Sequence, residues 1–283
     1  MFNKHDNVFI GCDSEFLQSK IVLFGAPFDG TTSYRPGARF ASAAIRAESY
    51  GIETYSPYLD KDLTDISVYD AGDIELPFGN TQRALDIIEN FAEKITSANK
   101  MPLMLGGEHL VTLSSIKALA KKYPDMHIIH FDAHTDLRDD YLGEKLSHAC
   151  VMRRCWELLG DSKIHQFGIR SGDKDEFYWA ETHVNMCKFN FDTLDDTVRL
   201  LANAPVYLSI DLDVLDPSEF PGTGTPEAGG VSFNNLLDAI KKISKLNIIG
   251  ADMVELSPPY DKSGTSTALA CKLLRELLLN IYK

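Results

Sequence analysis

Short apolar runs alternate with longer amphipathic ones along this chain. The short runs are IVLFGAP (Ile21–Pro27), SVYDAGD (Ser67–Asp73), MPLMLGG (Met101–Gly107), HIIHFDAH (His127–His134), IHQFGIR (Ile164–Arg170), PVYLSIDLD (Pro205–Asp213) and IIGADMVEL (Ile248–Leu256). They are rich in β-branched and aromatic residues and end near Gly or Asp, which predicts strands. Between them the apolar positions recur at helical spacing, over about Ala38–Tyr50, Thr81–Ala98, Leu110–Tyr123, His148–Leu159, Asp192–Leu201, Phe233–Ser244 and Ser266–Tyr282. In the last, Leu269, Leu273 and Leu277, with Leu274 and Leu278 beside them, form one stripe.

Strands alternating with helices predict a parallel sheet covered by helices on both faces. No internal repeat, low-complexity tract or Ser/Gly-rich linker interrupts the pattern, so residues 1–283 are expected to form a single domain. Ligands of open α/β sheets bind outside the carboxyl ends of the strands. Function is therefore to be sought in the residues just after each short run.

Those residues share a pattern. MPLML is followed by GGEH, with His109 opening a helix. HIIHF is followed by Asp132, His134 and Asp136 at every second position. PVYLSI is followed by Asp211 and Asp213, and IIGADMV by Glu255. In an extended chain, positions i, i+2 and i+4 share one side. Taken singly, an aspartate after a strand is usually an N-cap or an Asx turn, and a lone histidine a satisfied helix-start residue. Taken together, four carboxylates delivered to one rim would repel one another, and burial would add to the cost. A cation relieves both.

No cysteine lies in these motifs, and oxygen donors with some imidazole favour Mn²⁺ over the Zn²⁺ of sulfur-rich sites. Four aspartates balance two divalent ions. Such a pair could hold a bridging water and make it a hydroxide near neutral pH, which points to hydrolysis. Spacing alone leaves a carbonyl, a phosphate or a guanidinium as the target.

Composition narrows the partners. The formal net charge of -13, from 41 acidic and 28 basic residues, argues against nucleic acid, which needs a basic face. The five cysteines form no CxxC pair and read as reduced thiols of a cytoplasmic protein. The segment MFNKHDNVFIGCDSEF lacks the features of a signal peptide, and no window is apolar enough for a membrane helix.

GGEH, FDAHTD, SIDLDVLDP, GTGTPEAGG and DMVELSPPYD, in this order, resemble the signature motifs of the ureohydrolase family, the arginase–agmatinase group. With RPGAR near Arg35, the resemblance covers most of the chain. It implies a three-layer α/β/α fold with a central, mostly parallel sheet of about eight strands. It also implies two Mn²⁺ per chain and hydrolysis of a guanidinium to an amine and urea. By this resemblance His109, Asp132, Asp136 and Asp211 would hold one manganese, and Asp132, His134, Asp211 and Asp213 the other. A hydroxide between the ions would attack the guanidinium carbon. Glu255 matches the family's glutamate that pairs with the guanidinium, and His148, in KLSHAC, its proton-shuttling histidine. Homo-oligomers, trimers or hexamers, are expected by the same resemblance.

The remaining motifs read as framework. His130 is expected in the core or behind the ligands. His5, His127, His165 and His183 have no partner pattern. GTGTPEAGG does not match a phosphate-binding GxxxxGK[ST] loop and is expected to wall the site. The loop LRDDYLGEKLSH (Leu137–His148) is acidic and lacks the Ser/Thr run with which arginases grip the substrate's amino-acid end. An acidic loop favours a dication, and the PGTGTPEAGG form is closer to agmatinases, so agmatine, the small cationic guanidino compound that yields putrescine, is the expected substrate. Arg138, in the same loop, keeps guanidinobutyrate, guanidinopropionate or arginine open. A non-enzymatic metal-binding module is the remaining alternative.

Overall fold

The computed structural model describes residues 7–283; His5 and the first residues of the N-terminal segment lie outside them. Among the described residues ten strands occur in chain order. They are β1 (Ile21–Ala26), β2 (Tyr55–Ser56), β3 (Lys61–Asp62), β4 (Val68–Asp73), β5 (Met101–Gly106), β6 (His127–Phe131), β7 (Ile164–Ile169), β8 (Asn185–Lys188), β9 (Pro205–Asp211) and β10 (Asn247–Val254). The eight α-helices of the described residues are α1 (Ala41–Glu48), α2 (Thr81–Ser97), α3 (Thr112–Ala120), α4 (Val151–Leu159), α5 (Lys174–His183), α6 (Leu194–Leu200), α7 (Phe233–Ile243) and α8 (Thr265–Ile281).

β2 and β3 pair only with each other, as a small antiparallel hairpin. The other eight strands form one sheet in the order β4-β1-β5-β10-β9-β6-β7-β8, and every neighbouring pair is parallel. All carboxyl ends therefore lie along one edge. The four strands whose ends carry the candidate chemistry, β5, β10, β9 and β6, are adjacent at the sheet's centre.

Alternating side chains of each strand feed two separate cores. Leu103 and Leu105 of β5 join Ile45, Leu236, Ile240, Leu273 and Leu277 from α1, α7 and α8 on one face. Met104 of the same strand joins Leu85, Ile88, Ile116 and Met152 from α2, α3 and α4 on the other. Helices thus cover both faces, which makes three layers, and the near-continuous apolar strands are the consequence. In α8 burial extends well beyond the Leu stripe, to nearly the whole of Leu273–Ile281.

Besides the β2–β3 hairpin, two elements lie outside the pattern of the sequence. α5 reads KDEFYWAETH, too polar to show a helical stripe, but it opens with an Asp173/Glu176 capping box. β8 reads NMCK, an edge strand with a single buried side chain. Three expected helices start later than the pattern implies: Ala38–Phe40, His109–Val111 and His148–Cys150 each form a 3-10 turn before α1, α3 and α4.

The β1 and β5 ends are sewn together. Gly107 donates to Ala26 O at 3.0 Å and Glu108 N to Phe28 O at 2.8 Å. A Cβ at Gly107 would stand 1.8 Å from Phe28 O, so this close approach demands glycine.

Candidate metal centre

β6 ends at Phe131, so the FDAHTD motif is not held by strand alternation. Asp132 still donates its amide to Phe167 O of β7 at 3.1 Å. The chain then turns. Asp132 Oδ1 accepts the His134 amide, and Asp136 adopts a left-handed backbone with φ of 51°. Glu176 fixes the turn by accepting Thr135 Oγ1–H and, at 3.0 Å, the Leu137 amide. β9 repeats the device: Asp211 Oδ1 accepts the Asp213 amide at 2.8 Å. Both aspartates therefore make Asx turns with one oxygen and turn the other towards the site.

The second oxygens converge on His109. Its Nδ1 lies 3.1 Å from Asp132 Oδ2, 3.1 Å from Asp136 Oδ2 and 3.3 Å from Asp211 Oδ2. A second set stands beside it: His134 Nδ1 is 3.4 Å from Asp132 Oδ1 and 3.0 Å from Asp213 Oδ2. Asp132 belongs to both sets, one oxygen to each. His109, Asp132, Asp136, Asp211 and Asp213 are all buried.

Hydrogen bonds behind the set orient the rings. His109 Nε2 lies 2.9 Å from Ser209 Oγ, which donates to Asp252 Oδ1 at 2.8 Å. Asp252 is held further by Tyr207 Oη–H and Thr112 Oγ1–H, at 2.7 and 2.8 Å. With the Ser209 proton committed to Asp252, His109 Nε2 donates to Ser209 Oγ, which leaves Nδ1 as the atom that faces the three carboxylates. Nδ1 is buried without a hydrogen-bond partner. His130 is ordered in the same way. Gln166 Nε2 donates to Thr135 O at 2.7 Å and lies 3.0 Å from His130 Nδ1. A carbonyl can only accept, so the amide nitrogen faces it and donates its other proton to Nδ1. His130 Nε2–H then donates to Asp132 Oδ2 at 2.7 Å. His130 contacts Asp132 from behind, the position expected of it.

The cluster is short of positive charge. Burial opposes charge on His109, yet Asp132, Asp136 and Asp211 lift its pKa well above the ordinary value. For His134, burial is likewise overcome by Asp213 and Asp132. Burial and the charges of Asp213 and Asp132 push Asp211 well above the usual carboxylate range. Asp132 is pulled well below it, burial notwithstanding, by His130, His109 and His134. Without another cation, protons must take up the deficit. The donor groups of His109, His130 and Asp132, and those of Asp132, His134 and Asp213, are close enough in each set to hold a metal ion.

Glu255 follows β10 with a left-handed backbone, φ of 66°, and its Oε1 accepts the His109 amide at 2.8 Å. Burial, then the charge of Glu108, push its pKa well above the ordinary range. Glu108 is itself lifted to about 7, by burial against the hydrogen bonds of Thr31 and Thr32. Gly224 of GTGTPEAGG stands beside Glu255, where a Cβ would come 3.8 Å from Oε2, and Thr225 Oγ1 donates to Asp213 Oδ2 at 3.3 Å. That loop does wall the site.

His148 faces a cleft of about 220 Å³ lined also by Ser33, His134, Asp136, Arg138, Tyr141, Asp173, Glu176 and Thr225. Its Nε2 is 3.1 Å from Ser33 Oγ. Burial lowers its pKa, and His134 and His109 add to this against Asp136.

The acidity of the 137–148 loop does not face this cleft. Asp139 pairs with Arg154 at 3.0 Å, and Asp140 caps Gly143 N. Besides Asp136, the carboxylates at the cleft are Asp173 and Glu176, which the strand-end pattern did not single out. Their signal was the DKDE capping-box spacing after Gly172. They also settle Arg138, whose guanidinium lies 2.7 Å from Asp173, 3.6 Å from Glu176 and over the Tyr141 ring. The other histidines lie elsewhere: His127 against His165 at 3.1 Å, and His183 against Asp161 at 2.6 Å. All five cysteines are buried and unpaired, and no described helix is long and apolar enough to cross a membrane.

A central parallel sheet with a buried Asp/His centre at its carboxyl edge has close counterparts. The arginase family model matches residues 19–280. An agmatinase of Bacillus cereus is 52% identical over 98% of this chain and 97% of its own. A solved chain from Clostridium difficile superposes with a TM-score of 0.93 at 52% identity, covering 95% of this chain and 99% of that one. The agmatine ureohydrolase of Thermoplasma volcanium gives 0.89 at 34% identity, covering 98% and 94%. The chain belongs to the arginase family. It is accordingly a ureohydrolase, an enzyme acting on carbon–nitrogen bonds.

Proposed function

We propose that this enzyme hydrolyses agmatine to putrescine and urea at a site that holds two manganese ions. The observation that carries the reading is the pair of donor sets sharing Asp132, in a chain similar to an agmatinase over nearly its full length. His109, Asp132, Asp136 and Asp211 would hold one ion, and Asp132, His134, Asp211 and Asp213 the other. The partnerless Nδ1 of His109, aimed at three carboxylates, is the mark of a cation's place. Six carboxylate and imidazole groups without a thiolate suit manganese. Bound, the cations would supply Lewis acidity and a water acidic enough to act as a nucleophile near neutral pH.

The chain's own residues do the rest. Glu255 pairs with the planar guanidinium and fixes its orientation. Burial and the charge of Glu108 raise its pKa, so a cationic partner would favour its ionised form. His148 carries the proton that the departing amine requires. Because burial keeps its imidazole neutral, it holds that proton only in transit. At the cleft, Arg138 is engaged by Asp173 and Glu176, so its charge is not free for a substrate carboxylate, and the balance favours an ammonium group.

Urea release from agmatine, arginine and 4-guanidinobutyrate after manganese loading tests the reading. Agmatine should be turned over with the highest kcat/KM. A preference for guanidinobutyrate would refute agmatine while keeping the chemistry, and no urea from any of the three would remove both.

A further inference from the structure

Glu108 stands next to His109 in sequence, but its carboxylate is taken up by the loop after β1. The Thr31 amide donates to both of its oxygens, at 3.1 and 3.0 Å. Thr31 Oγ1 donates to Oε1, and Thr32 Oγ1 to Oε2 at 2.8 Å. The carboxylate is fully buried, a costly placement for a group whose bonds go to an exposed loop's hydroxyls and amide. The loop passes the constraint on. Having given its proton to Glu108, Thr31 Oγ1 accepts the His148 amide at 3.1 Å, and Ser33 Oγ meets His148 Nε2. Both anchors of His148, backbone and ring, thus come from the segment that Glu108 clamps. Those two anchors are separated from His148 by more than a hundred residues of sequence, so no local structure could replace them.

We propose that Glu108 is a positioning residue, whose carboxylate fixes residues 31–33 and through Thr31 Oγ1 and Ser33 Oγ sets His148 over the cleft. Its catalytic consequence rests on His148 carrying a proton, as proposed above; its structural consequence does not.

Glu108→Ala should lower kcat about tenfold to a hundredfold with little change in KM for agmatine, the signature of a misplaced reacting group. Manganese content, measured by mass spectrometry, should stay at the wild-type level. Glu108→Gln should restore most of the turnover, because an amide oxygen can accept from Thr31 while its nitrogen donates to the Thr32 hydroxyl. The double variant Glu108→Ala/His148→Ala should be no slower than His148→Ala alone. Amide exchange at Thr31 and His148 should speed up in Glu108→Ala. In Thr31→Val, which leaves the His109 neighbourhood untouched, it should speed up at His148.

Unchanged exchange in both single variants overturns the clamp. Losses that multiply in the double variant overturn its action through His148. Metal loss in Glu108→Ala, with wild-type turnover in Thr31→Val, also overturns it, since the carboxylate would then serve the cluster through His109. Full turnover in His148→Ala would instead remove the proton-carrying role, and the exchange rates alone would then decide the clamp.

Discussion

Asp132 uses its two oxygens for different tasks. Oδ1 closes the turn to the His134 amide and faces the His134 ring, while Oδ2 meets His109 and His130. Turn-former and ligand were rival readings of such a residue in the sequence, and the structure shows geometry for both at once. They can be separated. Asp132→Asn keeps an oxygen able to accept the His134 amide but removes the charge at the cluster's shared point, so it should fold with near wild-type stability and fail to retain manganese. Asp132→Ala should lose metal and activity as well as the turn. His148→Ala should keep its metal and slow turnover by roughly 10²–10⁴-fold, the range of a removed acid–base group. Metal analysis beside urea release distinguishes these outcomes. The chemistry of FDAHTD was legible because three costly groups crowd six residues. The geometry was not, because Glu176, forty residues on, shapes the turn.

At the scale of elements, the strands that predict best are those buried on both faces. Their apolar runs are set by two cores at once, as Leu103, Met104 and Leu105 show. β8 and α5 lie at the margin, where burial imposes less pattern, and only capping chemistry marks α5. One strand next to the sheet's edge carries a pH-sensitive pair away from the site. His165 of β7 meets His127 of β6, and burial, then His127 and Lys163, lower its pKa from 6.5 to about 4. The unfolded chain binds this proton more readily than the folded one. The native state is therefore favoured in full above the unfolded pKa, and that share is lost as pH falls from about 6.5 towards about 4. The loss is on the order of 3 kcal/mol. Urea denaturation of metal-free protein across this range should show the decline, and His165→Gln should flatten it. An equal decline in the variant would contradict the assignment.

For the whole molecule, the decisive fact is that β5, β10, β9 and β6 are neighbours. Their ends bring together His109, Glu255, the Asp211/Asp213 pair and FDAHTD from across some 150 residues of chain. The sequence shows that strand ends bear these groups. It does not show strand order, which depends on long-range packing of helices over both faces. The substrate's distal end was the least legible part. Loop acidity pointed to a cation for a reason the structure does not support, since Asp139 and Asp140 are spent elsewhere. Apart from Asp136, the carboxylates at the cleft come from the segment that starts α5, and they hold Arg138 as well. The overall charge of -13 adds only a general attraction for cations.

The central claim is that two cations, held by interlocked donor sets, act together on agmatine. Titrating metal-free enzyme with manganese, while following bound metal and urea release in the same samples, tests it most directly. Activity should rise with occupancy and level off only when two ions are bound per chain. A plateau at one ion, or urea release independent of manganese, would contradict it.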